Sequence, residues 1–127
     1  MNILLLLHEV KKKGTQVLNG MAPALVSLPN AITIEGHTDN RPISSAQYPT
    51  NWELSTARAT SVLRYLVTKG MPGNRLAAAG YADQKPIAAN DTDAHRAENR
   101  RVEVVILSNV DDPAAKATVT ATATKDS

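Results

Sequence analysis

Two side chains of opposite charge, Asp39 at the end of a strand and Arg58 on the apolar face of a helix, stand at positions that could serve binding chemistry. Asp39 lies in the polar segment "GHTDNRP" (36–42), directly after the alternating pattern "AITIE" (31–35) of a half-buried strand. Arg58 lies within a helical pattern, and an arginine directed inward loses hydration that a carboxylate or other acceptors must replace. Its guanidinium can pair with Asp39 or with a ligand carboxylate beside Asp39. A rim arginine with a buried stem and a hydrated head fits the spacing equally well.

The helix that carries Arg58 has the strongest local signal in the chain. "TNWE" (50–53) matches the S/T-x-x-E capping box, with Thr50 at the N-cap, and Lys69-Gly70 closes the helix. At about 100° per residue, Arg58 falls inside the apolar face, whereas Arg64 falls on the polar side. We also expect Trp52 to anchor the helix start in the core.

Strand and helix patterns alternate along the rest of the chain. We predict strands at 3–7, 31–35, 75–82 and 101–107, and helices at 15–28, 50–69 and 92–98. This order predicts an α/β fold, an α+β two-layer sandwich of the form βαβαβ(α)β with helices on one face of a mixed sheet.

Length and composition limit the number of domains. The chain has 127 residues, of which 43% are hydrophobic, enough for one domain with its own core. We place that domain at 1–108. Residues 109–127 are rich in Ala and Thr and lack large apolar side chains, so we expect a flexible tail rather than a further strand.

Several classes of function are disfavoured by composition. The net charge is only +2, and the basic runs "KKK" and "NRR" lack aromatic residues between them, so we do not expect nucleic acid as a partner. The chain has no cysteine, which excludes disulfides and thiolate metal sites. The apolar run 3–7 is too short to span a bilayer. G-x-S-x-G and H-E-x-x-H motifs are missing, so we expect no enzyme and no cofactor.

His37 is the histidine nearest to the Asp39 segment. The other two histidines, His8 and His95, are far from it in sequence. The spacing therefore favours a structural histidine or a loop hydrogen bond over a metal ligand, and we predict no metal site.

Two long stretches resemble a known family. "GHTDNRPISSAQYPTNWELSTARATSVLRYL" (36–66) and "GYADQKPIAANDTDAHRAENRRVEV" (80–104) contain TD, N-x-x-LS-x-x-RA and N-RRVE in order. These spaced motifs resemble the OmpA-like peptidoglycan-binding domain over residues 30–107. Within that family the chain is most similar to the periplasmic C-terminal domain of flagellar motor stator subunits of the MotB type.

The resemblance implies a ligand and a set of binding residues. The ligand is the diaminopimelate of the peptidoglycan stem peptide, whose ammonium would meet Asp39 and whose carboxylate would meet Arg58. For Asn51, a structural role in the loop is at least as well supported as ligand binding. Of the two adjacent arginines, we expect Arg101 in the pocket and Arg100 in solvent. The implied peptidoglycan-binding residues are Thr38, Asp39, Asn51, Leu54, Arg58, Asn99 and Arg101.

The resemblance also implies partners and a location. We expect non-covalent peptidoglycan binding that anchors a stator complex, a weak homodimer, and a membrane part of the stator in the full-length protein. The expected location is periplasmic. Two alternatives stay open: an envelope tether of the OmpA or Pal type that is not linked to the motor, and a structural interaction domain with an internal Asp39–Arg58 pair.

Overall fold

The structure is a computed structural model that describes residues 3–5, 12–107 and 116–121. The described strands are β1 (Ile3–Leu5), β2 (Ile32–His37), β3 (Leu76–Gly80), β4 (Arg101–Leu107) and β5 (Lys116–Ala121). The described helices are α1 (Lys12–Ser27), α2 (Asn51–Thr68) and α3 (Asp93–Asn99). A short 3₁₀ turn at Gly73–Arg75 precedes β3. None of these helices combines the length and the apolar character that a membrane span needs.

The strands form one mixed sheet in the order β1-β5-β4-β2-β3. β2 pairs with β3 in parallel, joined by α2, and pairs with β4 antiparallel. The predicted α/β fold with a mixed sheet is confirmed. Because β2 and β4 are antiparallel neighbours, the last residue of β2 meets the first residue of β4 at one end of the sheet, where His37 pairs with Arg101.

The core lies between one face of the sheet and the helices α1 and α2. Side chains alternate along a strand, so only every second residue of β2 and β4 faces the helices. The buried core residues of these elements are Leu18, Ala22, Leu25, Ile32, Ile34, Ala59, Val62, Leu66, Val102, Val104 and Ile106. The opposite face of β2 and β4 carries Thr33, Glu35, His37, Arg101, Glu103 and Val105.

The start of α2 follows the predicted capping box. The Thr50 hydroxyl accepts a hydrogen bond from the Trp52 amide, and the Glu53 carboxylate accepts one from the Thr50 amide at 2.8 Å. These bonds satisfy amides that the first helical turn leaves without partners. The capping box therefore determines where α2 begins relative to the loop after β2.

Two expectations were wrong, one about the Ala/Thr-rich segment after residue 108 and one about Trp52. Lys116–Ala121 forms β5, which pairs with both β4 and β1, although a flexible tail was expected there. Its three consecutive β-branched residues, Thr118, Val119 and Thr120, suit a strand, and pairing on both sides supplies hydrogen bonds that hydrophobic content does not reveal. Trp52 is 50% exposed rather than a core anchor, because the row of α2 that faces the sheet begins at Ser55.

Other parts of the domain prediction fall outside the described residues. Residues 6–7 of the predicted first strand, 108–115 and 122–127 belong to this group. Because β5 belongs to the same sheet as β1 and β4, the predicted domain boundary at residue 108 was wrong as well.

α2 packs closely against the sheet where β2 and β3 end. Ser55 is fully buried, and its backbone oxygen lies 2.0 Å from the position that a Cβ on Gly36 would occupy. A Cβ on Gly80 would lie 2.2 Å from the Thr56 hydroxyl oxygen. Neither strand can carry a side chain there unless the helix moves, so these glycines set the distance between α2 and the loop that contains Asp39.

We expect Gly36→Ala to lower the free energy of unfolding by at least about 3 kcal/mol, because the new methyl group collides with helix backbone rather than with a flexible side chain. Urea denaturation measures the change. Gly20→Ala is the matched control, since a Cβ at that position of α1 meets nothing within 4 Å. Equal stability of Gly36→Ala and the unaltered protein would contradict this packing.

Candidate functional site

The loop after β2 is held by backbone contacts to the segment after β3. The Thr38 amide donates to the Ala82 carbonyl at 2.8 Å, and the Thr38 hydroxyl donates to the Asp39 carbonyl at 2.8 Å. The Ala82 amide in turn donates to the Ser55 hydroxyl of α2 at 3.0 Å. Thr38 is buried, so its hydroxyl supports the loop conformation that presents Asp39.

The Asp39 carboxylate is buried and ion-paired. Its Oδ2 accepts a hydrogen bond from Arg100 Nη1 at 2.5 Å, and both side chains are only 9% exposed. Its Oδ1 accepts from the Arg41 amide at 3.0 Å. The Arg41 side chain makes a longer contact, 3.5 Å from Nη2 to Oδ2, and is 45% exposed. Within the described part of the chain, Asp39 therefore has close bonds from Arg100 and from the Arg41 amide, and a loose contact from the solvent-accessible Arg41 side chain.

Arg100 was expected in solvent, and that expectation was wrong. The core positions of β4 are Val102, Val104 and Ile106, so Arg100 shares their parity and Arg101 has the opposite parity. Arg100 is consequently 7% exposed and directed to Asp39.

Arg101 lies on the sheet face away from the helices. Its Nε donates to Glu103 Oε1 at 2.9 Å, its Nη2 to the Lys85 carbonyl at 2.9 Å and its Nη1 to the Asn99 carbonyl at 3.3 Å. His37, and then Arg101, lower the pKa of Glu103 from 4.5 to about 2, so that carboxylate is ionised at neutral pH. Arg101 thus fastens the segment before α3 to β4 rather than reaching toward Asp39.

Asn99 is fully buried, and its side-chain amide is saturated by internal bonds. Its oxygen accepts from the amides of Ile87 and Ala88 at 2.8 and 3.0 Å, and its nitrogen donates to the Ala88 carbonyl and the Asn90 side chain, both at 2.9 Å. An asparagine amide can make no more than about four such bonds. The Asn90 side-chain oxygen also accepts from the Asn40 amide at 3.4 Å, which links this segment to the Asp39 loop.

The first turn of α2 contacts the same loop. Asn51 Nδ2 donates to the Arg41 carbonyl at 3.0 Å and to the Asp39 carbonyl at 3.5 Å. The Oδ1 atom of Asn51 is buried and has no hydrogen-bond partner in the described part of the chain. Asn51 therefore holds the Asp39 loop against the start of α2. Its Oδ1 is left as an acceptor for a further hydrogen bond.

Asn51, Leu54 and Arg58 lie on one side of α2, because residues three, four and seven apart share a helix face. Leu54 and Arg58 are half-buried, and Arg58 has polar interactions of its own within the protein. Long side chains on a helix lean toward its N-terminus. We therefore expect the Arg58 guanidinium to lean toward the end of α2 that contacts the Asp39 loop.

The predicted site residues separate into two groups. Thr38 and Asp39 lie in the loop after β2, and the adjoining face of α2 carries Asn51, Leu54 and Arg58. Asn99 and Arg101 instead make internal bonds around this loop. Sequence reasoning missed Arg41 and Arg100. Arg41 follows Asp39 in the same polar segment, and the alternation of β4 carried the signal for Arg100.

A broad concavity lies elsewhere on α2. It measures about 820 Å³ and is lined by Trp52, Glu53, Thr56, Ala57, Thr60, Ser61, Arg64, Tyr65 and Thr68. Neither Asp39 nor Arg58 lines it. This concavity therefore does not contain the two charged residues of the predicted site. Its size alone gives no reason to place a zwitterionic ligand on this outer face of α2.

The chain matches known proteins in sequence. The model of the OmpA family matches residues 8–100. The uncharacterized protein YtxE of Bacillus subtilis is 50% identical over 99 residues, 77% of this chain and 41% of that protein. The peptidoglycan-binding protein ArfA of Mycobacterium tuberculosis is 41% identical over 92 residues, 72% of this chain and 27% of that protein. The chain therefore spans less than half the length of these relatives.

A solved structure has the same fold. The periplasmic domain of Helicobacter pylori MotB (residues 78–256) superposes with a TM-score of 0.74 at 27% identity, covering 84% of this chain and 69% of that one. The family match over most of the chain and the shared fold agree with the motifs at Asp39, Arg58 and Arg101. The chain belongs to the OmpA family.

Proposed function

We propose that this domain binds peptidoglycan non-covalently, through the diaminopimelate of the stem peptide. The observation that carries the proposal is a rigidly held carboxylate, Asp39, next to a helix face that carries Arg58. The free end of diaminopimelate has an ammonium and a carboxylate on one carbon. An anionic acceptor and a planar guanidinium complement these two groups. Membership of the OmpA family, whose members bind rather than catalyse, agrees with a domain that is not an enzyme.

Asp39 retains capacity for a ligand despite its ion pair. A carboxylate has about four acceptor positions, and Arg100 and the Arg41 amide occupy two of them at hydrogen-bond distance. The exposed Arg41 side chain makes only the 3.5 Å contact and can turn into solvent when an ammonium arrives. Arg100 is buried and stays in place, so it positions the carboxylate during binding.

The α2 face supplies the second half of the proposed pocket. Arg58 would bind the ligand carboxylate with two parallel hydrogen bonds, and Leu54, which lies between Asn51 and Arg58, would contact the methylene chain. The buried acceptor Oδ1 of Asn51 would receive a ligand N–H. Thr38, Asn99 and Arg101 would act through the loops that they hold.

Anchoring of a flagellar motor stator is the finer part of the proposal. It is supported by the fold shared with the MotB periplasmic domain and by the peptidoglycan-binding name of the ArfA relative. In this proposal the domain lies in the periplasm, and the membrane part of the stator belongs to a longer protein.

A structural interaction domain is the competing function. The buried Asp39–Arg100 pair favours it, because a carboxylate that neutralises a buried arginine has a structural reason to be present. The two functions differ in what they require of Arg58. Only ligand binding requires its planar guanidinium, which can form two parallel hydrogen bonds with a carboxylate.

The first test is Arg58→Lys, which keeps the charge and loses the planar fork. We expect affinity for a diaminopimelate-containing muropeptide to fall by roughly 1.5–3 kcal/mol, about ten- to a hundredfold. The melting temperature should change little. Isothermal titration calorimetry and thermal melts measure both quantities.

Arg64→Lys is the control for this variant. Arg64 is exposed on the outer face of the same helix, so its replacement should alter neither quantity. A muropeptide with lysine in place of diaminopimelate lacks the second carboxylate and should abolish the difference in affinity between the unaltered protein and the Arg58→Lys variant. A lower melting temperature with unchanged affinity in Arg58→Lys would refute the binding role.

Asp39→Asn tests the other half of the pocket. It removes the charge that an ammonium needs and leaves Arg100 buried beside a neutral amide. We expect loss of measurable muropeptide binding together with a decrease of roughly 1–3 kcal/mol in the free energy of unfolding. Calorimetry and urea denaturation provide the two measurements, and undiminished binding would contradict the assignment of Asp39.

We also propose weak self-association, as expected for the stator subunits that this domain resembles. Sedimentation equilibrium at increasing protein concentration should give an average mass above that of the monomer. A strictly monomeric mass at the highest concentration would exclude the homodimer.

A further inference from the structure

Two carboxylates face each other on the side of the sheet away from the helices. Glu35 of β2 and Glu103 of β4 are directly opposite in the antiparallel register, and His37 lies two residues along β2. One ligand atom from each of these three side chains lies within 4.8 Å of the others. Like charges at directly opposed strand positions repel, so this arrangement needs a compensating positive charge.

His37 is buried without a hydrogen bond. It is 1% exposed, and neither ring nitrogen has a hydrogen-bond partner in the described part of the chain. Its Nε2 is directed to the carboxylates, 3.7 Å from Glu103 Oε2. The Tyr81 ring stacks on the imidazole at 5.3 Å between centroids and holds its plane. The imidazole has lost water, and its Nε2 has only the 3.7 Å ion-pair contact with Glu103 in exchange. A buried polar atom without a hydrogen bond is costly, and a bound ion explains such an atom.

The neighbouring groups occupy only part of the carboxylates. Arg101 Nε bonds Glu103 Oε1, and the Tyr81 hydroxyl donates to Glu35 Oε2 at 3.4 Å. The Lys85 ammonium lies over the Tyr81 ring, 4.2 Å from its centroid. The bonds described here leave Glu103 Oε2, which lies 3.7 Å from His37 Nε2, and Glu35 Oε1 without a hydrogen bond. Arg101 and Lys85 reduce the local negative charge without reaching the His37 nitrogen.

We propose that Glu35, His37 and Glu103 form a Zn²⁺ site. One imidazole nitrogen and two carboxylate oxygens are ligands that zinc accepts at about 2.0–2.2 Å, and water would complete the tetrahedron. The imidazole favours zinc over calcium or magnesium, which prefer oxygen ligands only. The side chains must draw together by rotamer adjustment, which the half-buried glutamates can make. The site does not depend on the peptidoglycan proposal, because its residues lie on the opposite side of the sheet.

Calorimetric titration of the whole chain with zinc chloride tests the site. We expect one bound zinc per chain, a higher melting temperature that EDTA reverses, and no comparable effect of magnesium. Glu35→Gln and His37→Gln should each weaken zinc binding by at least about tenfold, since loss of even an outer partner of a metal ligand costs that much. Cobalt(II) titration should give the visible absorption of tetrahedral coordination in the unaltered protein and lose it in both variants.

His95→Gln is the matched control. His95 is partly exposed, and its Nδ1 lies 2.5 Å from Asp91 Oδ1, so this surface pair is the competing zinc ligand. Its replacement should leave zinc affinity unchanged. Absence of zinc binding, loss of binding in His95→Gln, or full binding in Glu35→Gln would each overturn the proposal. If His37→Gln does not fold, Glu35→Gln decides alone, because Glu35 is only half-buried.

Discussion

The buried ion pair between Asp39 and Arg100 organises the end of the sheet where the proposed binding site lies. It joins the loop after β2 to the residue that precedes β4, across a separation of 61 positions in the chain. A buried ion pair adds little net stability compared with apolar packing, although breaking it is costly. Its contribution here is positional. It holds a carboxylate at one place and in one orientation, with acceptor capacity left over for a ligand cation.

Alternation along β4 gives the two faces of the sheet different chemistry. Arg100 and the core valines lie on the helix side, and Arg101 and Glu103 lie on the other side. The same alternation in β2 places Ile34 in the core and His37 opposite it, while the chain beyond β2 brings Asp39 to Arg100. Two adjacent arginines therefore serve two separate polar clusters. The close approach of α2 at Gly36 and Gly80 then sets the distance from its Arg58 face to the Asp39 loop.

Short sequence patterns were sufficient to predict the elements that depend on neighbouring residues alone. The capping box at Thr50 and the alternation before Gly36 predicted α2 and β2, and the helical angle of Arg58 predicted its half-buried position. The partner of Asp39 could not be read in the same way, because it depends on the register between β2 and β4. Strand β5 was missed because its stabilisation comes from pairing with two neighbours rather than from its own apolar content. The four hydrogen bonds of the Asn99 side chain likewise depend on the path of residues 87–90, which no short motif specifies.

The central claim is that the Asp39 loop and the Arg58 face of α2 together bind diaminopimelate. The most direct measurement is a nuclear magnetic resonance titration of the nitrogen-15-labelled chain with a diaminopimelate-containing muropeptide. We predict saturable shifts in the amides of Thr38, Asp39, Arg41 and Asn51 and in the side-chain Nε–H of Arg58, with the amides along the outer face of α2 unchanged. Shifts confined to the outer-face residues Trp52, Thr60 and Arg64, or no saturable shifts at any concentration, would contradict it.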